Sequence, residues 1–143
     1  MNDLIEQYNA SNHFGNKLGM HFEVIEPGLV HYHLIISTDH LATPKAAHGG
    51  VISAFMDAML GVCALSASSL EKKVVSTIEF KTNFLAPAFL GDELLGISKV
   101  IQKGNRIYVV SGEVFCPQRN NILLATGIGT FNAYPAEKAG YRQ

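Results

Sequence analysis

The sequence lacks the features on which several classes of protein depend. It contains no tryptophan and only two cysteines among 143 residues. Cys63 and Cys116 do not have the spacing of a metal-binding or redox pair, and they make no disulfide framework. Charged residues account for only 16% of the chain, form no run of one sign and leave a net charge of -1. This composition argues against a nucleic-acid partner and a membrane-surface partner, since both need a basic patch.

Apolar residues, by contrast, are abundant, at 48% of the chain. That fraction excludes intrinsic disorder, and a chain of this length buries roughly two thirds of the surface that it exposes when unfolded. We therefore predict one domain over residues 1–143, with its core at about residues 15–132. The low charged fraction further predicts that a partner subunit covers part of the surface.

The two ends of the chain predict different structures. Residues 3–11 carry Leu4, Ile5 and Tyr8 at helical spacing and predict a short packing helix. This stretch has neither the basic segment nor the apolar run of a signal peptide, which, with the lack of a disulfide pattern, predicts a cytoplasmic protein. Residues 134–143 contain Pro, Lys, Gly and Arg and predict a flexible tail.

Between the ends, the pattern predicts an α+β fold. Alternating residues on either side of a Pro-Gly turn predict a β-hairpin over residues 22–26 and 29–37. Residues 51–67 are apolar almost all round, which predicts a fully buried helix. Four further strands are predicted at residues 74–85, 94–102, 106–116 and 122–132. An antiparallel sheet of this kind can curl around a single helix and bury it.

The apolar helix also has a composition that fits a transmembrane span. Asp57 near its centre argues against that alternative, because a charged residue at the middle of a bilayer costs about 2.5–3.5 kcal/mol on insertion scales. Glycines inside the predicted strands indicate instead that the helix comes close to the sheet. We expect this contact to use the small residues of the helix, which are Gly50, Ala54, Ala58 and Gly61.

A His-Gly-Gly motif stands at the entrance of the long helix, formed by His48, Gly49 and Gly50. Two glycines there let a ligand come within hydrogen-bond distance of the free N–H groups of the first turn, whose partial positive charge can stabilise an oxyanion. The alternative is a tight turn into the helix with His48 as its cap.

Asp57 follows two turns later in apolar surroundings. A carboxylate there is costly unless it has a partner, so either a strand hydroxyl or backbone group holds it, or it acts as general base or nucleophile in a secluded cleft. Seven residues at a rise of about 1.5 Å separate it from Gly50 by about 10 Å, too far for both to act on one carbonyl group. A two-fold dimer would bring Gly50 of one subunit to Asp57 of the other.

The order and spacing of these motifs resemble a known family. The matching residues are His48, Gly49 and Gly50, then Asp57, the segment VSTIEF at 75–80, the segment FLAPA at 84–88, and Gly91. Together they resemble the PaaI-like branch of the hotdog-fold acyl-CoA thioesterases, within the 4-hydroxybenzoyl-CoA thioesterase superfamily, over about residues 15–131. The resemblance implies an acyl-CoA substrate, a curved sheet wrapped around the long helix, and no metal or other cofactor. It also implies homodimers with a continuous sheet, often paired into tetramers, and two sites at the subunit interface.

The resemblance further implies roles for individual residues. Asp57 would act as general base or nucleophile, and the backbone N–H of Gly50 would polarise the thioester carbonyl. Thr77 would orient the attacking water, while His48 would hold the loop and touch the thioester. Substrate contacts are expected from Gly49, Ser53, Phe84, Pro87, Gly104 and Arg106. Arg106 would hold the phosphates of coenzyme A, although a solvated turn charge is the alternative.

One position departs from the family pattern and keeps other functions open. Many members carry Asn or Gln six residues before the motif histidine, where this chain has Ala42. Either Thr43 substitutes for it or the chemistry is slower, and a non-catalytic acyl-CoA binding protein is therefore an alternative. A hotdog dehydratase acting on hydroxyacyl thioesters is a further one. His31 and His33 share one strand face, but no third metal ligand is evident.

Overall fold

The computed structural model describes residues 2–142, which form one antiparallel sheet, one long helix and two short helices. The helices are α1 (Asp3–Ser11), α2 (His13–Leu18) and α3 (Gly49–Ser68). The strands are β1 (His21–Glu26), β2 (Leu29–Ile35), β3 (Lys73–Phe84), β4 (Glu93–Lys103), β5 (Ile107–Cys116) and β6 (Ile122–Pro135). The sheet order is β1-β2-β4-β5-β6-β3, so β1 and β3 are its edges.

The sheet wraps around α3, which confirms the predicted hotdog arrangement. Phe55, Met56, Met59 and Leu60 of α3 are each 0% exposed and pack into the concave face of the sheet. The segment Gly49–Glu71 has a mean hydropathy of 1.7 and passes for a membrane span by length and composition, yet 61% of its most apolar window is buried inside the protein. Packing in the core of the sheet therefore accounts for its apolar character.

The contact between helix and sheet differs from the expectation in one respect. A Cβ atom built on Gly96 of β4 would lie 2.8 Å from Cε1 of Phe55 and 2.7 Å from Sδ of Met59. Gly127 of β6 is crowded in the same way by Met56. The strand glycines therefore make room for the large residues of α3, and the expected contact with its small residues is wrong. Ala58 and Gly61 lie instead on the face of α3 next to β3 and β6, where they line an open cavity together with Thr77 and Phe131.

The same open face corrects the prediction of a fully buried helix. Ser53, Ala54, Asp57 and Ala58 are all half-buried, whereas residues 62–69 are buried throughout. The sheet and α1 enclose the second half of α3, but one side of its first half remains accessible.

The predicted flexible tail at residues 134–143 is also wrong for the residues that the structure describes. β6 continues to Pro135, which pairs with Lys73 of β3. A short 3-10 helix, Ala136–Ala139, follows, and Ala136 is buried with its N–H donated to the carbonyl of Lys72. The long partner strand satisfies the backbone hydrogen bonds that a frayed tail would leave to water. Gln143 lies outside the described residues.

Candidate active site

His48 caps the start of α3, the alternative that the sequence left open. Its Nδ1 accepts a hydrogen bond from the N–H of Gly50 at 2.8 Å. Because Nδ1 is the acceptor, the neutral ring carries its proton on Nε2, and this N–H sits on an exposed side chain. The N–H of Gly49 donates no hydrogen bond to any residue in the range 2–142. The entrance of α3 therefore presents two donors of different origin, a backbone N–H and an imidazole N–H.

A buried histidine that sequence reasoning missed holds this entrance in place. His40 is 4% exposed, and its carbonyl accepts the N–H of His48 at 2.8 Å. Its ring is fixed from both sides, by the N–H of Ser37 at 2.9 Å and by the carbonyl of Leu18 at 2.8 Å. The signal for it is weak, since one histidine in a polar loop does not indicate burial.

Asp57 is held by the strand residue that the resemblance named. The hydroxyl of Thr77 on β3 donates a hydrogen bond to Oδ1 of Asp57 at 2.7 Å. Oδ2 of Asp57 accepts no hydrogen bond from the described residues. The carboxylate is half-buried, so the expected secluded cleft is absent within this single chain, residues 2–142. One oxygen is thus fixed while the other remains open to a reactant.

A cavity of about 260 Å³ opens beside Asp57 and Thr77. Three tyrosines line it together with the small residues of α3, and these tyrosines are Tyr8, Tyr134 and Tyr141. Burial, followed by the charges of Tyr141 and Asp57, raises the pKa of Tyr8 to about 12. Sequence reasoning assigned none of these tyrosines to the site, because they come from the two ends of the chain.

Gly49, Phe84 and Pro87 meet around a second, shallower cavity of about 370 Å³. A Cβ atom on Gly49 would lie 3.9 Å from the Phe84 ring. The loop before α3 is joined to the FLAPA segment by the N–H of Ala47, which donates to the carbonyl of Ala88 at 2.8 Å. Ser53 lies on α3 between this cavity and Asp57, one helical turn from each.

An ion pair that was not predicted fixes the FLAPA segment. Arg119 donates from Nη1 to Oδ2 of Asp92 at 2.7 Å and to the carbonyl of Pro87 at 3.0 Å. The same carboxylate oxygen accepts the N–H of Phe89 at 2.8 Å, and the Arg119 guanidinium lies 4.7 Å from the centre of the Phe89 ring. Asp92 is only 8% exposed, so this pair anchors the loop that carries Pro87.

Gly104 and Arg106 lie at the other end of β3 from Phe84. The N–H of Gly104 donates to the carbonyl of Ile107 at 2.8 Å, and Nη2 of Arg106 donates to Oδ1 of Asn132 at 3.2 Å. Asn132 pairs with Ser76, the neighbour of Thr77. Seven residues separate Thr77 from Phe84, about 23 Å of strand at 3.3 Å per residue. Within one chain, Arg106 is therefore near the Asp57 end of the site and remote from the helix entrance.

The histidines of the first hairpin form a pair rather than a metal cluster. The rings of His21 and His33 stack with their centres 4.9 Å apart. Burial, then the neighbouring His21 and His31, lower the pKa of His33. Among residues 2–142, no three His, Cys, Asp or Glu side chains are grouped so as to hold a metal ion.

Comparisons with known proteins support the family resemblance. Residues 45–122 match the thioesterase superfamily, and this is more than half of the 143 residues. The matched range contains His48, Gly49, Gly50, Asp57 and Thr77. A search of curated protein sequences found no match to the chain.

Solved structures with the same fold include several thioesterases. The Escherichia coli PaaI protein from the phenylacetic acid degradation operon has a TM-score of 0.82 and 18% identity, over 91% of this chain and 90% of that one. A Haemophilus influenzae thioesterase has a TM-score of 0.80 and 17% identity, over 95% and 93%. A hypothetical Streptococcus pneumoniae thioesterase solved with coenzyme A has a TM-score of 0.72 and 17% identity, over 81% and 86%.

At these identities the structural likeness establishes the fold, and the sequence match establishes the family. The predicted PaaI-like hotdog fold and the predicted class of enzyme, a thioester hydrolase, are confirmed at that level. The chain belongs to the thioesterase superfamily.

Proposed function

We propose that this protein hydrolyses the thioester bond of an aliphatic or aromatic acyl-CoA, with Asp57 as general base or nucleophile. The observation that carries the proposal is the hydrogen bond from Thr77 to Oδ1 of Asp57, next to an open cavity. Thr77 orients the carboxylate and leaves Oδ2 for the reactant. The coenzyme A in the Streptococcus pneumoniae relative supports a CoA thioester as the substrate class.

As general base, Asp57 would take a proton from a water molecule whose oxygen attacks the thioester carbonyl carbon. The Thr77 oxygen, whose hydrogen is donated to Asp57, can accept a hydrogen bond from that water. Collapse of the tetrahedral intermediate breaks the C–S bond, and the thiolate of coenzyme A leaves and takes up the proton. As nucleophile, Oδ2 would instead form a mixed anhydride that water then hydrolyses. Both routes give a carboxylic acid and free coenzyme A.

The start of α3 would supply the charge stabilisation for the carbonyl oxygen. The N–H of Gly50 is donated to His48 in this structure, so the imidazole must rotate away before that N–H can polarise the thioester. Gly49 provides a first-turn N–H without such a competitor among the described residues. When the His48 ring rotates, its Nε2–H can contact the thioester of the bound substrate.

We propose that these two halves of the site come from different subunits. α3 is continuous from Gly49 to Ser68, so the separation of about 10 Å between Gly50 and Asp57 holds within one chain. β3 is an edge strand whose exposed apolar residues include Ile78 and Phe84, each 55% exposed. A second copy paired along this edge would continue the sheet and cover those residues. A cytoplasmic homodimer, paired further into a dimer of dimers, is the assembly that we expect.

Mixing two inactive variants tests the split site. Gly50→Pro removes the backbone donor, and proline is tolerated in the first turn of a helix. Asp57→Asn removes the base at nearly constant volume. In an equal, refolded mixture, half of the dimers combine both variants and hold one intact site of two. About a quarter of the wild-type activity should therefore return, if pairing is random and sites act independently.

The controls are the two single-variant homodimers, which must stay inactive while their circular dichroism matches that of the wild type. A mixture that stays inactive despite demonstrated subunit exchange would place both groups in one chain and contradict the dimer-interface site. Wild-type protein that hydrolyses no member of a panel of aliphatic and aromatic acyl-CoAs would contradict the enzymatic proposal itself.

A second candidate function is acyl-CoA binding without turnover. It is favoured by Ala42, which is exposed and has no polar side chain, and by Thr43, whose hydroxyl accepts the N–H of Ala46 at 3.0 Å to close the turn. Tight binding of acyl-CoA without release of free thiol would support it. Formation of an enoyl-CoA from a 3-hydroxyacyl-CoA would instead support the dehydratase alternative.

A further inference from the structure

The two ends of the chain meet beside the Asp57 cavity. Nε2 of Gln7 on α1 donates to the carbonyl of Arg142 at 3.1 Å, and the N–H of Arg142 donates back to Oε1 of Gln7 at 2.9 Å. The hydroxyl groups of Ser11 and Tyr141 lie 3.3 Å apart, within hydrogen-bond distance. We call these three contacts the terminal clasp. It joins α1 to the segment that follows the 3-10 helix Ala136–Ala139.

The clasp places two aromatic rings over the cavity. Tyr8 projects from α1 and Tyr141 from the C-terminal segment, and both line the space beside Asp57. Tyr8 also packs against the main core, its ring 6.3 Å from that of Phe22. Tyr141 packs with the smaller apolar cluster that joins α1 to the end of α3. Both rings are therefore supported from behind, so together they form a wall.

The cavity extends from Asp57 in one direction only along α3. Its floor consists of Ala58, Gly61 and Leu65, and the last of these lies eight residues beyond Asp57, about 12 Å along the helix axis. The His48-Gly49-Gly50 entrance lies in the opposite direction. A thioester whose carbonyl is at Asp57 can therefore place its acyl group in this cavity and its coenzyme A on the other side. In this arrangement Arg106 of the same chain, which lies at the cavity end of β3, has the alternative role of a solvated turn charge.

We propose that this cavity is the acyl pocket and that the terminal clasp, through the rings of Tyr8 and Tyr141, sets the largest acyl group that it admits. The inference rests on the proposed function and adds the size of its substrate. An apolar cavity of about 150 Å³ holds one benzene molecule. By that measure, a volume of about 260 Å³ suits an acyl group of roughly six to ten carbon atoms.

The test is a chain-length profile of kcat/KM over straight-chain acyl-CoAs from butanoyl to palmitoyl. The wild-type profile should fall steeply beyond about ten carbons. Tyr141→Ala opens the wall and should raise the ratio of kcat/KM for dodecanoyl-CoA over butanoyl-CoA by about tenfold or more. Tyr141→Phe keeps the ring and the two Gln7 contacts of the clasp, and it should keep the wild-type ratio. Ala58→Leu adds bulk to the floor and should move the optimum to shorter chains.

Phe14→Ala is the matched control, because it removes an aromatic ring that is 67% exposed on the neighbouring helix and lies outside the cavity. It should leave the profile unchanged. If Tyr141→Ala does not fold, Gln7→Ala replaces it, since this variant breaks two clasp contacts and keeps both rings. It should raise the same ratio.

The outcomes separate this inference from the proposed function. Suppose that the wild type hydrolyses acyl-CoA, but that neither the wall variant (Tyr141→Ala or Gln7→Ala) nor Ala58→Leu changes the ratio of kcat/KM for dodecanoyl-CoA over butanoyl-CoA. That result overturns the acyl pocket and leaves the proposed function standing. If the wild type binds acyl-CoA without hydrolysis, the proposed function fails. The inference is then decided by the ratio of the Kd for dodecanoyl-CoA to that for butanoyl-CoA, compared between the wild type and the same variants. If the wild type neither binds nor hydrolyses any acyl-CoA, both are overturned.

Discussion

The two faces of α3 carry side chains of opposite kinds, large and apolar on one face, and small or charged on the other. One face carries Phe55, Met56, Met59 and Leu60, and strand glycines such as Gly96 leave the space that these side chains fill. The other face carries small residues and one carboxylate, Asp57, and an open cavity lies between it and residues of β3 and β6. Large residues against glycines make a close-packed core, whereas small residues opposite Thr77 and Phe131 leave a gap that can hold a ligand.

The difference teaches that small residues in a helix do not by themselves indicate backbone contact with a sheet. Gly61 illustrates the point, since a Cβ atom there would make only an ordinary contact, 3.4 Å from the Phe131 ring. Substitutions on the packing face should therefore act on stability, and those on the open face should act on activity.

The largest effect is expected from Asp57→Ala on the open face. Loss of the base should lower kcat by about 10²- to 10⁴-fold. The free energy of unfolding should change by less than about 1 kcal/mol, because the side chain is half-buried and its bond to Thr77 is exposed. Steady-state kinetics and urea unfolding of the same preparation measure both quantities. Activity close to that of the wild type would show that another group performs the chemistry.

The packing face should respond in the opposite way to Gly96→Ala. The added methyl group would lie 2.8 Å from Cε1 of Phe55, which should lower the free energy of unfolding by about 1–3 kcal/mol. Gly61→Ala makes the same change on the open face, where the gain in helix propensity should make it neutral or stabilising. Urea unfolding of the two variants compares the faces directly. Equal destabilisation by both would contradict the contrast.

A smaller effect is expected at the entrance of the helix. A Cβ atom on Gly50 would lie 2.9 Å from Nδ1 of His48, so Gly50→Ala should push the ring out of the position from which its Nε2–H contacts the thioester and lower kcat/KM by about tenfold. Gly49→Ala has its nearest contact at 3.9 Å and should have the smaller effect of the two. Kinetics on the pair measure the difference, and the reverse order would argue that the position of His48 is unimportant.

The smallest effect concerns Tyr8 in the cavity wall. Because burial raises the pKa of Tyr8 from 10.0 to about 12, the folded state holds this proton more tightly than the unfolded state. The resulting stability is fully present below pH 10 and is lost as the pH rises towards 12. Tyr8→Phe lacks this contribution, so its free energy of unfolding should fall less than that of the wild type between pH 10 and 11, by less than about 1 kcal/mol. Urea unfolding at both pH values measures the difference, and an equal loss of unfolding free energy in the two proteins would contradict the raised pKa of Tyr8.

Much of the fold was predictable because its signals are local. The helix at residues 3–11 ends where it was expected, and the long helix and the strands lie within a few residues of their predicted bounds. Helical spacing and strand alternation are properties of neighbouring residues, which explains this success. α2 was missed because six residues, capped by Asn12, are too few for a periodic pattern. β6 was predicted too short because its last residues are ordered by β3, far away in sequence.

The candidate site divides in the same way. The sequence named both Asp57 and Thr77, and the alternative in which a strand hydroxyl holds the carboxylate is the contact that the structure shows. The sequence around Tyr8 and Tyr141 does not indicate a functional role, since a tyrosine near a chain end is typical of a surface or packing residue. The hydrogen bond from the Gly50 N–H to His48 was predicted only as an alternative, in which His48 caps the helix and the N–H of Gly50 does not stabilise an oxyanion.

By itself, the sequence determined the types of the elements and the position of each motif along them. His48 stands at the start of α3 and Asp57 two turns later because residue spacing within a helix is set by its own backbone hydrogen bonds. Only the tertiary structure decided which face of α3 the sheet covers and which residues close the cavity. Those outcomes depend on how side-chain volumes from distant segments fit together, and the local pattern of any one segment does not contain that information.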